Sequence, residues 1–274
     1  MLHESKLVHP TNIEDLLVKT PWRDDQNNLK KSRMSGVSYV DFLAFVQTAM
    51  NSSRYLEIGV RSGASLAAMK GRAVGIDPNY RNSLDAGARE SGAYLYKMTS
   101  DSYFQRHNPH EDLNGPIQVA FVDGMHHFEY VVRDVLNVQR HAAAESLILL
   151  HDCIPWSFSM TKRLEMDFLG QYAGVRGNWT GDVWKAIPVL QELLPFMQVN
   201  MIDCAPTGIV ILSIIKPDYK VIPHRVEHLI MQAQEKYSTE CALWTWLETQ
   251  DLVDSKKIIG DSDALKKLLG LSRV

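Results

Sequence analysis

Short apolar runs alternate with stretches of helical periodicity over the middle of the chain. The runs RYLEIG (54–59), RAVGIDP (72–78), AYLYKMTSD (93–101), IQVAFVDG (117–124) and SLILLHD (146–152) are short and rich in branched or aromatic residues, which predicts strands. Between them SLAAMK (65–70) opens a helix. YVVRDVLNVQRHA (130–142) sets Val131, Val135 and Val138 on one helical face. Strands alternating with helices predict an α/β fold, a doubly wound Rossmann-like sheet, mostly parallel, with helices on both faces. FMQVNMID (196–203) and TGIVILSII (207–215) stand too close for a crossover, so they predict an antiparallel hairpin. Upstream, SYVDFLAFVQTAM (38–50) aligns Tyr39, Phe42, Leu43, Val46 and Met50 on one helical face. The predicted division is a helical segment over 1–50, an α/β domain over 51–216 and C-terminal helices over 217–274, with no internal repeat.

The chain has 274 residues and a formal charge of −3, with no basic arm, which argues against nucleic acid as a partner. Cys153, Cys204 and Cys241 are far apart and odd in number, which suits a reducing compartment. MLHESKLVHPTNIEDLL lacks the apolar core of a signal peptide, and GIVILSII (208–215) is too short to span a bilayer. The expectation is a cytoplasmic protein with no membrane partner. Apolar faces on the terminal helices, without evident partners in the sequence, predict a homo-oligomer, most simply a dimer.

Ligands of open parallel sheets sit at the carboxyl ends of the strands. The first strand ends in EIGVRSG, whose Glu57, Gly59, Arg61, Gly63 and Ser65 form the expected cofactor turn. A dinucleotide fingerprint wants glycine where Arg61 stands, and Glu57 would repel a diphosphate. An acidic rim suits a ligand with a cationic centre and an ammonium group, as in S-adenosylmethionine. Asp77, ending the second strand, can accept ribose hydroxyls, and Ser100, Asp101 and Ser102, after the third, can recognise adenine. The bland alternative is a plain strand–turn–helix in which glycine serves packing.

The fourth strand ends in FVDGMHHFEYVVRD (121–134) and the fifth in LLHDCIPW (149–156). Asp123 and Asp152 then lie on neighbouring strand ends, and with His151 they can hold a divalent ion. His126, one turn after Asp123, can serve as a general base. The alternatives are that Asp123 caps a helix, His151 is a bonded core histidine and Cys153 a small buried hydrophobe.

The stretches EIGVRSGAS, IDP, FVDGMHHFEYVVRD and LLHDC together resemble class I S-adenosylmethionine-dependent methyltransferases. They are most similar to the small-molecule O-methyltransferase branch with the macrolide-sugar and cephalosporin-cluster enzymes. The resemblance spans about 50–215 and implies a seven-stranded sheet with its last strand antiparallel. It also implies a Mg²⁺-binding role for Asp123 alongside cofactor contact, and a base role for His126. Where that branch often has two adjacent acids, this chain has His151 and Asp152. RGNWTGDVWKAIPVL (176–190) also resembles this branch and reads as part of a lid over about 155–185, with Asp182 and Lys185 facing the substrate and Trp179 and Trp184 either beside them or packing the loop.

The implied activity is methyl transfer from S-adenosylmethionine to a hydroxyl of a small molecule, a sugar or another natural product. The competing readings are an NAD-dependent oxidoreductase, a nucleic-acid methyltransferase and a cofactor-binding protein without catalysis.

Overall fold

The computed structural model describes residues 12–27, 30, 33–81, 92–169 and 178–271. Eight strands form one sheet in the order β3-β2-β1-β4-β5-β7-β6-β8. They are β1 (Arg54–Ile58), β2 (Arg72–Ile76), β3 (Ala93–Tyr96), β4 (Ile117–Val122), β5 (Ala142–His151), β6 (Gln198–Ile202), β7 (Ile209–Ser213) and β8 (Leu252–Val253). β1 to β5 run parallel, and β7 is inserted antiparallel between β5 and β6. The chain order steps outwards from β1 to β3 and then returns to β4 beside β1. That reversal opens a crevice at the carboxyl ends of β1 and β4.

Eleven α-helices are described: α1 (Tyr39–Ala49), α2 (Ala64–Ala67), α3 (Ser100–Arg106), α4 (Pro109–Leu113), α5 (Phe128–His141), α6 (Glu165–Leu169), α7 (Ala186–Leu193), α8 (Pro223–Lys236), α9 (Glu240–Leu247), α10 (Ser255–Ile258) and α11 (Ser262–Leu268). Alternation along the strands sends side chains to two cores. Leu56 and Ile58 of β1 join Val131, Val135 and Val138 of α5 on one face. Tyr55 of the same strand joins Phe42, Leu43 and Val46 of α1 on the other.

One expectation is corrected here. The seven-stranded sheet gains an eighth strand, β8, paired parallel to β6 through Met201–Leu252 and Ile202–Val253. The terminal segments also find their partners inside the chain. Trp22 Nε1 donates to the Gln250 carbonyl at 2.8 Å, Leu17 bridges Val253, and Leu16, Leu265 and Leu268 are buried in the α1 core. Apolar side chains of the C-terminal segment such as Ile222 and Met231 stay exposed. Of the stretch 1–17 from which the lack of a signal peptide was read, residues 1–11 lie outside the described residues, as do 170–177 of the expected lid.

Candidate active site

The turn after β1 is shaped by close backbone approach. Gly59 has φ +93°, and a Cβ built on it would lie 2.0 Å from the Asp123 carbonyl oxygen. Glycine here lets the ends of β1 and β4 meet, and the Asp123 amide donates to the Ile58 carbonyl at 2.8 Å. Gly63, at φ +79°, precedes α2. Arg61 has φ +46°, and its amide donates to Asp77 Oδ2 at 2.7 Å. Asp77 Oδ1 accepts from the Asn79 amide at 2.6 Å. Asp77 thus stands at the end of β2 as expected and pins the turn.

Glu57 departs from its expected place on the rim. It is fully buried, and its carboxyl accepts hydrogen bonds from Tyr55 Oη and Ser65 Oγ, each at 2.7 Å. Burial pushes its pKa up to about 8, more than the two hydroxyls pull it down. The reason is strand alternation: Glu57 follows Tyr55 onto the α1 face. Ser65 is turned inward to meet it and is equally absent from the turn's open side.

The adenine candidates are also engaged with protein groups. Ser102 receives the Thr99 cap of α3 through its amide, at 3.2 Å. Asp101 pairs with Arg133 at 2.9 Å. The Ser100 hydroxyl bonds to the buried Asp134, whose pKa burial lifts to about 7.

At the ends of β4 and β5, four side chains alternate in charge type. His126 Nε2 lies 3.4 Å from Asp123 Oδ1 and 3.2 Å from Asp152 Oδ2. His151 Nδ1 lies 3.2 Å from the same Asp123 oxygen and 3.4 Å from the same Asp152 oxygen. Burial raises the Asp123 pKa, but the His151 and His126 imidazoles outweigh it and hold the carboxyl below its usual range. Burial lowers both imidazoles, and the two carboxylates outweigh that and raise them. His126 and Asp152 both sit at positive φ, +29° and +56°, so the backbone is held in an uncommon region at both.

One atom each from Asp123, His126 and Asp152 lies within 4.8 Å of the others, a grouping able to hold a metal ion. The sequence had placed His151 in that set. The local backbone brings His126 into that grouping in place of His151. The donor chemistry, carboxylate oxygen plus imidazole nitrogen, fits a divalent ion.

Asp182 and Lys185, expected to face the substrate, are buried and paired with protein groups. Asp182 is buried, and its Oδ1 accepts from the Phe128 amide at 3.2 Å, capping α5 from a distant segment. Its Oδ2 takes Arg163 Nη1 at 2.8 Å and Lys185 Nζ at 3.3 Å. Arg163 also grips Glu129 through both guanidinium nitrogens. Gly181 permits this docking: a Cβ there would meet the His126 carbonyl at 1.9 Å.

Three contributors escaped the sequence reading. Trp179 stacks on His126 with centroids 4.8 Å apart, and its carbonyl lies 3.2 Å from His126 Nδ1. Tyr39 packs on His151 at 4.3 Å, and burial together with Asp123, Glu57 and Asp152 pushes its pKa to about 12. Thr207 donates to Asp152 Oδ1. A Trp beside two glycines was a visible signal for the first. Nothing in the sequence pointed from Thr207 to β5.

Residues 56–153, which contain the turn and the four clustered side chains but not Tyr39, Trp179 or Thr207, match the family model described as a methyltransferase domain. The matched stretch is just over a third of the chain. The match is to the domain at large and does not separate its branches. No curated protein matches the chain. Solved structures with related folds include cofactor-bound Rv0187 from MTB, at 15% identity over 65% of this chain and 80% of that one, TM-score 0.49. The SAH-bound Podospora anserina methyltransferase PaMTH1 shares 18% identity over 64% and 77%, TM-score 0.44. The O-methyltransferase TomG from Streptomyces achromogenes, solved with SAM, shares 14% over 65% and 80%, TM-score 0.45. Likeness at this distance carries no cofactor or substrate across to this chain.

Proposed function

We propose that this chain transfers a methyl group from S-adenosylmethionine to a hydroxyl of a small molecule. The observation that supports it best is the contact between the Gly59 turn and Asp123. A cofactor resting on that turn lies next to the Asp123–His126–His151–Asp152 cluster, where a hydroxyl can be held and relieved of its proton. When bound, S-adenosylmethionine would supply the methyl group and leave as the neutral thioether, while the Asp123–His126–His151–Asp152 cluster would hold the acceptor hydroxyl and receive its proton or pass it to water. The protein supplies alignment and a place for the proton. A divalent ion held by Asp123, His126 and Asp152 would lower the pKa of a bound hydroxyl.

Calorimetry with S-adenosylhomocysteine and NAD⁺ tests the cofactor. Binding of the former and not the latter is expected; preference for NAD⁺ would sink the proposal. A panel of hydroxyl acceptors with labelled S-adenosylmethionine then tests the transfer. Cofactor binding without turnover across that panel would favour a binding protein without catalysis.

A further inference from the structure

The amino ends of β1 and β2 bring two arginines together. Arg54 and Arg72 open the two strands and are register partners, on backbones about 4.8 Å apart. Alternation along each strand sends both side chains to one face, that of Leu56 and Val74. With Ser53, Gly71, Leu113 and Asn114 they line a surface cleft of about 290 Å³. The turn after α4 holds one of the two guanidinium groups in place. Arg54 Nε donates to the Pro116 carbonyl at 2.7 Å. The group lies over Gly115, at φ +138°, where a Cβ would stand 3.2 Å from Nη1. The terminal nitrogens of Arg54 and the whole Arg72 guanidinium have no partner among the described residues.

Like charges on paired strands repel, and an anion between them removes that cost. Among the described residues no carboxylate lines the cleft. Asp112, next to Leu113 in the chain, gives its two oxygens to the Tyr96 and Tyr103 hydroxyls, each at 2.8 Å. A guanidinium fork matches the paired oxygens of a phosphate or a carboxylate. Charge decides between these anions. Two guanidinium groups match a phosphate monoester, which carries about −1.5 to −2 at neutral pH, better than they match a single carboxylate. The Ser53 hydroxyl and the Asn114 amide add neutral donors to the same cleft. One water takes about 30 Å³ of the liquid, so a cleft of about 290 Å³ has space beyond a phosphate group for a small organic body.

We infer that the cleft between Arg54 and Arg72 binds a phosphate group, free or carried by a small organic molecule. β1 and β2 are each five residues long, so this site lies roughly 16 Å from the crevice at their carboxyl ends. It is separate from the candidate active site. The inference concerns binding alone and holds whether or not the chain transfers methyl groups.

The test titrates the full chain, in phosphate-free buffer at physiological salt, with inorganic phosphate, glycerol phosphate and acetate. Calorimetry should give about one phosphate per chain with millimolar or tighter affinity, and much weaker acetate. Amide resonances of Gly71 and Asn114 should shift with phosphate, while those of Gly59 and Arg61 stay in place. Arg72→Gln, at an exposed strand end, should weaken phosphate binding by at least about tenfold, the lower end of what a hydrogen bond to a charged group contributes. Arg54→Gln should do the same, with a thermal melt beside it because this variant also loses the Pro116 bond. Arg106→Gln removes the same charge from the end of α3 and should leave binding unchanged. Tighter binding of glycerol phosphate than of inorganic phosphate would make an organic phosphate the ligand, and equal binding the free ion; both uphold the inference. It is overturned if phosphate does not bind at millimolar concentration, if acetate binds as tightly, if the shifts fall at the Gly59 turn instead, or if Arg72→Gln keeps the full affinity. A loss in Arg106→Gln as large as in Arg72→Gln would also overturn it, since general charge and not the cleft would then hold the anion.

Discussion

Two charge clusters flank the segment from Asp123 to Glu129, and they are built from the same kinds of parts. The inner one sets Asp123 and Asp152 against His126 and His151. The outer one sets Asp182 and Glu129 against Arg163 and Lys185. The difference lies in the cations. A guanidinium keeps its proton, and Glu129 holds the Arg163 group above even its ordinary range. The outer cluster is therefore permanently satisfied and works as a clasp that docks Arg163, Asp182 and Lys185 on α5. Imidazoles can give up their protons and expose lone pairs. The inner cluster can exchange its positive charge for a ligand, which is what a reactive site requires. An acidic pair in a crevice is informative only once its partners are known.

The comparison breaks most visibly in activity. Asp123→Asn should reduce turnover by about 10³-fold, the several kcal/mol that charge stabilisation at a reacting oxygen supplies. S-Adenosylhomocysteine affinity should change little, since the Gly59 contact uses the Asp123 backbone. Steady-state kinetics beside calorimetry checks both halves. Equal losses in turnover and cofactor affinity would place Asp123 in the cofactor site alone.

Asp182→Ala should do the reverse. It leaves Lys185 buried without its carboxylate and uncaps α5, so a loss of about 3–5 kcal/mol in stability is expected by urea unfolding. Turnover per folded molecule should survive largely intact. A large drop in turnover with stability unchanged would return Asp182 to the substrate-facing role the lid sequence suggested.

The elements that were legible before the structure are those whose physics is local. Parallel strands buried on both faces read as apolar runs, and α5 showed its face through Val131, Val135 and Val138. β8 was not legible, because two residues, Leu252 and Val253, carry no period and pair only through the tertiary approach of β6. The site divided in the same way. Asp123, His126 and Asp152 were marked by their positions at strand ends. Glu57 and Asp182 were misplaced, since a carboxylate's direction depends on strand parity and on a partner such as Arg163, neighbours in space and not in sequence. Trp184, read as a possible lid residue, is instead fully buried against Tyr237 and Trp246.

Glu57 supplies a third environment that sharpens the contrast: a buried carboxyl with only hydroxyl donors and no cation. Its folded pKa of about 8 lies above its unfolded value, so the folded state holds the extra proton. The stabilisation is complete below the unfolded pKa and is lost as pH rises through about 8. Urea stability followed from pH 5 to 9 should therefore carry a declining component. Glu57→Gln keeps the shape and an acceptor for Tyr55 and Ser65, and it should remove that component. An unchanged profile would mean that Glu57 is ionised in the fold.

The smallest effect concerns how the clasp reaches the inner cluster. Trp179 presents three contacts: its ring on His126, its carbonyl to His126 Nδ1, and its indole N–H to the Lys162 carbonyl. Substitution cannot remove the carbonyl, so each variant isolates side-chain terms. Trp179→Phe keeps an aromatic face over the imidazole and gives up the indole donor, a loss of about 1 kcal/mol for one hydrogen bond. Trp179→Ala removes the stacked face as well, adding about 0.5–1.5 kcal/mol beyond the area exposed. If the carbonyl is what orients His126, affinity for a divalent ion should hold in the Phe variant and fall modestly in the Ala variant as the loop loosens. Equal and large losses of that affinity in both would assign the orientation to the indole N–H anchor on Lys162, and the Trp179 segment would then be part of the cluster's own framework.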